Sequence, residues 1–216
     1  AAGAFPGGIH LEGRYSTPAA NDLATVVQQT ATARDTSCAG TPIGKRFRRI
    51  VMQLLYLATS ARPDIALAVG LLTRVQAWPS PDLLKRAERI LIYAAATAKT
   101  VILTYRKGTD ADVSLAWAPK VGVEGASDAD WALAHSTRAY ICTLCGAAIS
   151  WAMKKQESIA LHTMEAEIHA GSLAACDAVF IRGITEEVGY KQTQPTVLRM
   201  DNTSGISLAN DRLTNL

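Results

Sequence analysis

The feature that most constrains this chain is a change of hydrophobic period just after Lys99. Upstream, apolar residues recur at helical spacing. Downstream, they come in short runs of the length and β-branched composition that strands favour. A chain that switches period in mid-length needs two kinds of packing, helix on helix and helix on sheet.

Proline punctuates the helical part. Thr41-Pro42, Arg62-Pro63-Asp64 and Ser80-Pro81-Asp82 each place Pro at a helix start, where its missing N–H would have no partner anyway. After Pro42, the residues Phe47, Ile50, Val51, Leu54, Leu55 and Ala58 share one face. After Pro81, Leu83, Leu84, Ala87, Ile90, Leu91 and Ala94 do the same. The spacing predicts three consecutive helices over residues 42–98, the middle one running to about Gln76, and a shorter helix over Asn21–Arg34. Residues 1–20, rich in Gly and Pro, are expected to be irregular. Lys45, Arg46, Arg48 and Arg49 crowd the start of the Pro42 helix. They read either as a phosphate-binding patch or as a solvated face.

After the switch, Val101–Tyr105 and Val113–Trp117 are strand candidates flanking a turn at Lys107–Asp110. Val121–Ser127, Arg138–Leu144 and Ala147–Trp151 follow as three strands with short links, hence antiparallel. A long helix over Thr163–Val188, a strand over Thr196–Met200 and a helix from Ser204 to Asn210 complete the order. The expected class is α/β with a mixed sheet, the helix-linked strand lying parallel beside the first one.

Composition narrows the function classes. With 49% hydrophobic and 19% charged residues in 216, the chain can bury a sizeable core, and a formal charge of +3 tolerates a nucleic-acid partner without demanding one. Four cysteines are too few for a disulfide scaffold and fit a reducing, intracellular compartment. Cys142-x-x-Cys145 has ligand spacing but lacks a second half-site, so it reads as a pair of strand cysteines before it reads as zinc. No apolar run is long enough to span a membrane. The chain starts at Ala1 with few acids before Arg34, which fits a processed, trimmed or fragment start and leaves an organelle open as a location.

The chemistry gathers on acids at element ends. Asp128 and Asp130 in Ser127-Asp128-Ala129-Asp130-Trp131 close one strand, Glu167 lies early in the long helix, and Asp201 closes the last strand. If the first and fourth strands are neighbours, Asp128 and Asp201 emerge at one edge with the helix across it. Hydrolysis of a phosphodiester with two Mg²⁺ ions needs such a convergence of hard oxygen ligands. Strand-end turns and helix-dipole compensation by Glu165 and Glu167 account for the same residues more simply, and both accounts stand at this point.

Several segments in one order add a resemblance. Leu55-Tyr56-Leu57-Ala58, Arg62-Pro63-Asp64-Ile65, Ser127-Asp128-Ala129-Asp130-Trp131, Ala148-Ile149-Ser150-Trp151, Lys154-Lys155-Gln156, Glu165-Ala166-Glu167 and Asp201-Asn202 resemble the C-terminal part of copia-type retrotransposon polyproteins, where reverse transcriptase runs into ribonuclease H. The resemblance covers about residues 45–210. It implies a ribonuclease H-like fold preceded by a helical segment, with Mg²⁺ as cofactor and cleavage of the RNA strand of an RNA:DNA hybrid. Asp128, Glu167 and Asp201 fall on the family's first three catalytic, metal-holding acids. Asp130 and Glu165 match flanking positions. Lys154 and Lys155 are the candidate contacts to the nucleic-acid backbone. His162 and His169 read as surface histidines or phosphate contacts, and Trp131 and Trp151 as core aromatics or stacking platforms.

The expected organisation is an irregular extension over 1–40, a helical segment over 41–110 resembling the end of a reverse transcriptase, and a ribonuclease H-like domain over 111–216. Relative to the family the chain is C-terminally truncated, lacking a fifth strand and a fourth acid, and Leu133, Ala134, His135 and Ile168 depart from its usual residues. Two functions follow: a metal-dependent nuclease, or a domesticated, inactive scaffold in a large ribonucleoprotein or organellar assembly.

Overall fold

A computed structural model describes residues 15–105, 122–130, 137–155 and 162–214. The chain divides into two compact units, Ala1–Ile102 and Leu103–Leu216. The strand and turn expected over residues 107–117, the Gln156 end of the Lys-Lys-Gln segment and the aromatic Trp131 lie outside the described residues.

The first unit is helical: α1 (Leu23–Ala33), α2 (Pro42–Ser60), a 3-10 turn (Pro63–Ile65) leading into α3 (Ala66–Thr73), and α4 (Pro81–Ala96). The two longest begin as their sequences dictate. Thr41 Oγ1 accepts from Gly44 N at 3.3 Å, Ser80 Oγ accepts from Leu83 N at 3.2 Å, and Pro follows each cap. A hydroxyl cap satisfies one of the orphan N–H groups of the first turn. Phe47, Val51, Leu54, Ile65, Val69, Leu72, Val75, Leu83 and Ile90 are fully buried among the four helices, with Leu23 and Val27 of α1 closing the core. The middle helix is shorter than its sequence predicts, ending at Thr73 in turns rather than at Gln76.

One buried cation organises this unit. Arg62 gives Nε and Nη2 to the two oxygens of Asp64, each at 2.8 Å, Nη1 to Ala94 O at 3.0 Å, and Nη2 to Thr97 Oγ1 at 2.7 Å. It thereby ties the 3-10 turn to the end of α4. The paired carboxylate holds the guanidinium above its ordinary pKa, partly opposed by burial.

The second unit holds β1 (Val123–Asp130), β2 (Thr137–Leu144), β3 (Ala147–Lys155), α5 (Thr163–Glu187), β4 (Val197–Arg199) and α6 (Thr203–Thr214). Val101–Tyr105 is a correction: its described residues form no strand, and Ile102 and Tyr105 are exposed, with Tyr105 OH donating to Ala148 O at 2.6 Å. The sheet order is β3-β2-β1-β4, antiparallel across the first three strands and parallel between β1 and β4. This is an α/β unit with a four-stranded mixed sheet.

Cys145 and Gly146 form the two-residue link between β2 and β3, at φ 52° and 80°. Two successive left-handed residues make the turn whose twist suits a hairpin. The ladder then slips by one residue between Cys142 and Thr143.

Helix α5 lies across β1 and β2 on small residues: Ala166, Ala170, Gly171, Ala174 and Ala178 are buried. A Cβ at Gly171 would meet Met200 Sδ at 2.9 Å, so the helix needs glycine to approach the chain leading to Asp201. Arg182 fixes the opposite end, giving hydrogen bonds to Gln192 O, Gln194 O and Thr196 Oγ1 at 2.7, 2.8 and 2.9 Å. Gln192 Oε1 in turn accepts from Val123 N at 2.8 Å, which aligns the approach to β4 with the start of β1.

Candidate metal centre

The site exists because β4 is short. It pairs with β1 only over Glu124–Ala126, through Val197–Arg199, while β1 continues to Asp130. Past that point Ala129 N–H donates to Glu167 Oε1 of α5 at 3.2 Å. A side-chain carboxylate takes the backbone donor that a longer β4 would have claimed. Asp201 lies two residues beyond the end of β4. Its neighbour Asn202 accepts from Gly205 N at 2.8 Å through Oδ1, capping α6 and setting where the chain turns.

The result is that Asp128, Glu167 and Asp201 each offer a carboxylate oxygen, all within 4.8 Å of one another. Asp128 and Asp201 are exposed and Glu167 is 3% exposed. Burial pushes the Glu167 carboxyl above its ordinary 4.5, the Ala129 hydrogen bond opposes this, and the nearby Asp201 and Asp128 charges add to the rise. Its Oε2 is buried with no hydrogen-bond partner among the described residues. Among the described residues no Lys or Arg pairs with any of the three acids. Oxygens on one Mg²⁺ lie within about 4.2 Å of one another, twice the usual ~2.1 Å bond, so a contraction of a few tenths of an ångström suits these carboxylates to a divalent cation.

The other candidate residues separate. Lys154 and Lys155 end β3 and are exposed, Lys154 opposite Arg138 and Lys155 opposite Thr137. Asp130 closes β1 in the backbone, its side chain lying outside the description. His169 stands 3.9 Å from Glu165, one turn along the same helix, and His162 precedes α5 without capping it. Trp151 is half-buried in β3. Cys142 is buried, its Sγ 3.9 Å from Ala174 O, whereas Cys145 is in the hairpin turn. Both are free thiols, and no cysteine belongs to a metal-binding group among the described residues. In the first unit, Arg46 bonds Glu88 at 2.9 Å and Arg48 donates to Ala39 O and Gln76 O, so half of the basic cluster serves the helical fold.

Sequence reasoning missed Arg138, Arg182 and Gln192. Arg182 carries no periodic signal. Arg138 was hidden by the slip in the ladder, since counting back from the hairpin turn sets it opposite Met153 instead of Lys154.

A segment of the "Retrovirus-related Pol polyprotein from transposon RE1" of Arabidopsis thaliana is 32% identical over 166 residues, 75% of this chain. The RE2 polyprotein of the same plant is 29% identical over 222 residues, 94% of this chain. The chain belongs to the copia-type retrotransposon Pol polyproteins. It spans 10% and 14% of the length of those two Pol relatives. A third relative, "Secreted RxLR effector protein 161" of Plasmopara viticola, is 35% identical over 132 residues, 59% of this chain and 85% of that protein. No family model and no solved structure matches this Pol segment. No helix among the described residues is long and apolar enough to cross a membrane.

Proposed function

We propose that the second unit is a ribonuclease H-like domain that hydrolyses the RNA strand of an RNA:DNA hybrid, with Mg²⁺ held by Asp128, Glu167 and Asp201. The observation that carries this reading is the approach of the three carboxylates to within 4.8 Å of one another without a cation among the described side chains. Like charges so close repel, and Oε2 of Glu167, unpartnered among the described residues, adds a buried acceptor in need of a positive ligand. Membership of the Pol family supports a nucleic-acid substrate.

Each residue has a distinct part. Glu167 is anchored by the Ala129 N–H and offers a buried carboxylate to the cluster. Asp128 and Asp201, both exposed, face solvent, where a phosphodiester approaches. Bound Mg²⁺ would supply a Lewis acid for the phosphoryl oxygens and lower the pKa of an attacking water. The deciding experiment measures hydrolysis of a labelled hybrid with Mg²⁺ by the wild-type chain and by Asp128→Asn. Loss of turnover in the variant is expected; equal turnover in both sinks the proposal.

A second reading is a scaffold that keeps the fold without hydrolysis. It draws support from the relative of which this chain spans 85%, named as a secreted effector and not as a polyprotein. A wild-type chain that binds hybrid and does not cleave it with Mg²⁺ favours this alternative.

A further inference from the structure

The three carboxylates come from β1, α5 and the run after β4, and the residues beside them share one seat. A Cβ at Gly171 of α5 would stand 2.9 Å from Met200 Sδ, 3.0 Å from Met200 Cε and 3.7 Å from Ser127 Oγ. Met200 directly precedes Asp201, and Ser127 directly precedes Asp128. Gly171 itself lies one helical turn after Glu167. Bare backbone at this position is therefore where the chain segments of Asp128 and Asp201 both come down on the helix of Glu167.

Alternation along β1 makes that spacing critical. Ser127 and Ala129 face α5, Ala129 packing on Ala166 and Ala170, so Asp128 between them leaves the opposite face of the strand. Its carboxylate comes within 4.8 Å of those of Glu167 and Asp201 only with the helix held close on the strand. Mg²⁺ demands near-ideal octahedral geometry with bonds of about 2.1 Å, so the cluster tolerates little added separation.

Met200 couples the same seat to Asp201. Non-bonded carbon atoms rest about 3.5–4.0 Å apart, so a methyl at position 171 overlaps the thioether by roughly half an ångström. Methionine adapts readily. Here, however, α6 closes its far side, with Met200 Cε 3.6 Å from the Cβ position of Gly205. The thioether is held between two helices, and a bulky group at position 171 shifts Met200 together with Asp201, which is bonded to it. Glycine is otherwise a cost in a helix interior, where Ala and Leu are better formers. Gly183, further along α5, has nothing within 4 Å of a Cβ, so the same substitution there acts without the seat.

We infer that Gly171 is a positioning residue for the carboxylate cluster: it seats Ser127 and Met200 so that Asp128 and Asp201 approach Glu167 closely enough to share a cation. This rests on the proposed metal-holding role of the three acids and adds the residue that sets their spacing.

The test titrates Mg²⁺ into the full chain, without nucleic acid, by isothermal titration calorimetry. Gly171→Leu is expected to weaken Mg²⁺ binding about tenfold, and Gly171→Ala, with a single methyl, about threefold. Shortening Met200 makes room, so Gly171→Leu combined with Met200→Ala binds Mg²⁺ several-fold tighter than Gly171→Leu alone. A merely structural defect would deepen with that second truncation. Gly183→Leu leaves the affinity unchanged. Thermal melting checks the fold, and if Gly171→Leu fails it, Gly171→Ala with and without Met200→Ala decides. Wild-type affinity in the Gly171 variants overturns the inference, as do an equal loss in Gly183→Leu, no recovery in the double variant, and a wild-type chain that binds no Mg²⁺. Unchanged affinity in those variants of a chain that cleaves hybrid leaves the nuclease reading standing without this inference; Gly171-dependent affinity in a chain that does not cleave gives the reverse.

Discussion

Glu167 Oε1 accepts the backbone N–H of Ala129 at 3.2 Å, while Oε2 of the same carboxylate is buried with no partner among the described residues. One oxygen locks α5 to the stretch of β1 beyond β4, and the same carboxylate belongs to the cluster with Asp128 and Asp201.

The raised pKa of Glu167 sets the sign of a pH effect. The folded state holds this proton more tightly than the unfolded chain, so the penalty is absent below the ordinary value of 4.5. Stability then falls as pH rises from that value through the raised one, and levels off above it. Glu167→Gln removes the dependence. Urea denaturation across pH is expected to show wild type losing stability relative to the variant through this window; parallel curves contradict the account.

Metal should stabilise the chain through the same acids. Millimolar Mg²⁺ binding only the folded state raises the melting temperature, by about 2.7 kcal/mol of stability at a hundredfold excess over the dissociation constant. Calorimetry with and without Mg²⁺ checks this, and the increment should shrink sharply in Asp201→Asn. Without metal, that variant is expected to melt slightly higher than wild type, because one of three mutually repelling charges is gone.

Thiol labelling separates the cysteines. Burial pushes the Cys142 thiol up to about 12, and the side chain is fully enclosed, whereas Cys176 is exposed on α5. Only a thiolate reacts. Iodoacetamide on the native chain, followed by peptide mass mapping, should modify Cys176 and spare Cys142 until denaturant is added.

Arg62 should be the most damaging polar substitution in the helical unit. Arg62→Met leaves Asp64 without its cation and Ala94 O without its donor, at a cost of about 3 kcal/mol. Chemical denaturation followed by circular dichroism measures it. A change under about 1 kcal/mol, the range of an exposed pair, would show that solvent replaces these bonds.

Much of the fold was legible because its causes are local. Thr41 and Ser80 cap helices whose first residue is Pro, and the burial of Phe47, Leu54, Leu83 and Ile90 follows from their spacing alone. The three acids were legible as residues at element ends. The strand expected over Val101–Tyr105 failed because composition reports that a run is apolar and extended, not that a neighbour exists to pair with it.

What the chain alone determined, then, is where helices start, which side chains are core, and that Asp128, Glu167 and Asp201 sit at the ends of their elements or near their starts. Tertiary structure decided the rest. The slip between Cys142 and Thr143 sets Lys154 opposite Arg138, and the shortness of β4 leaves the Ala129 N–H to Glu167. The physical reason is the range of the interactions. Caps and periodicity act within a turn or two of the chain, but register is settled by hydrogen bonds between distant strands, where one residue of slip changes every cross-strand neighbour.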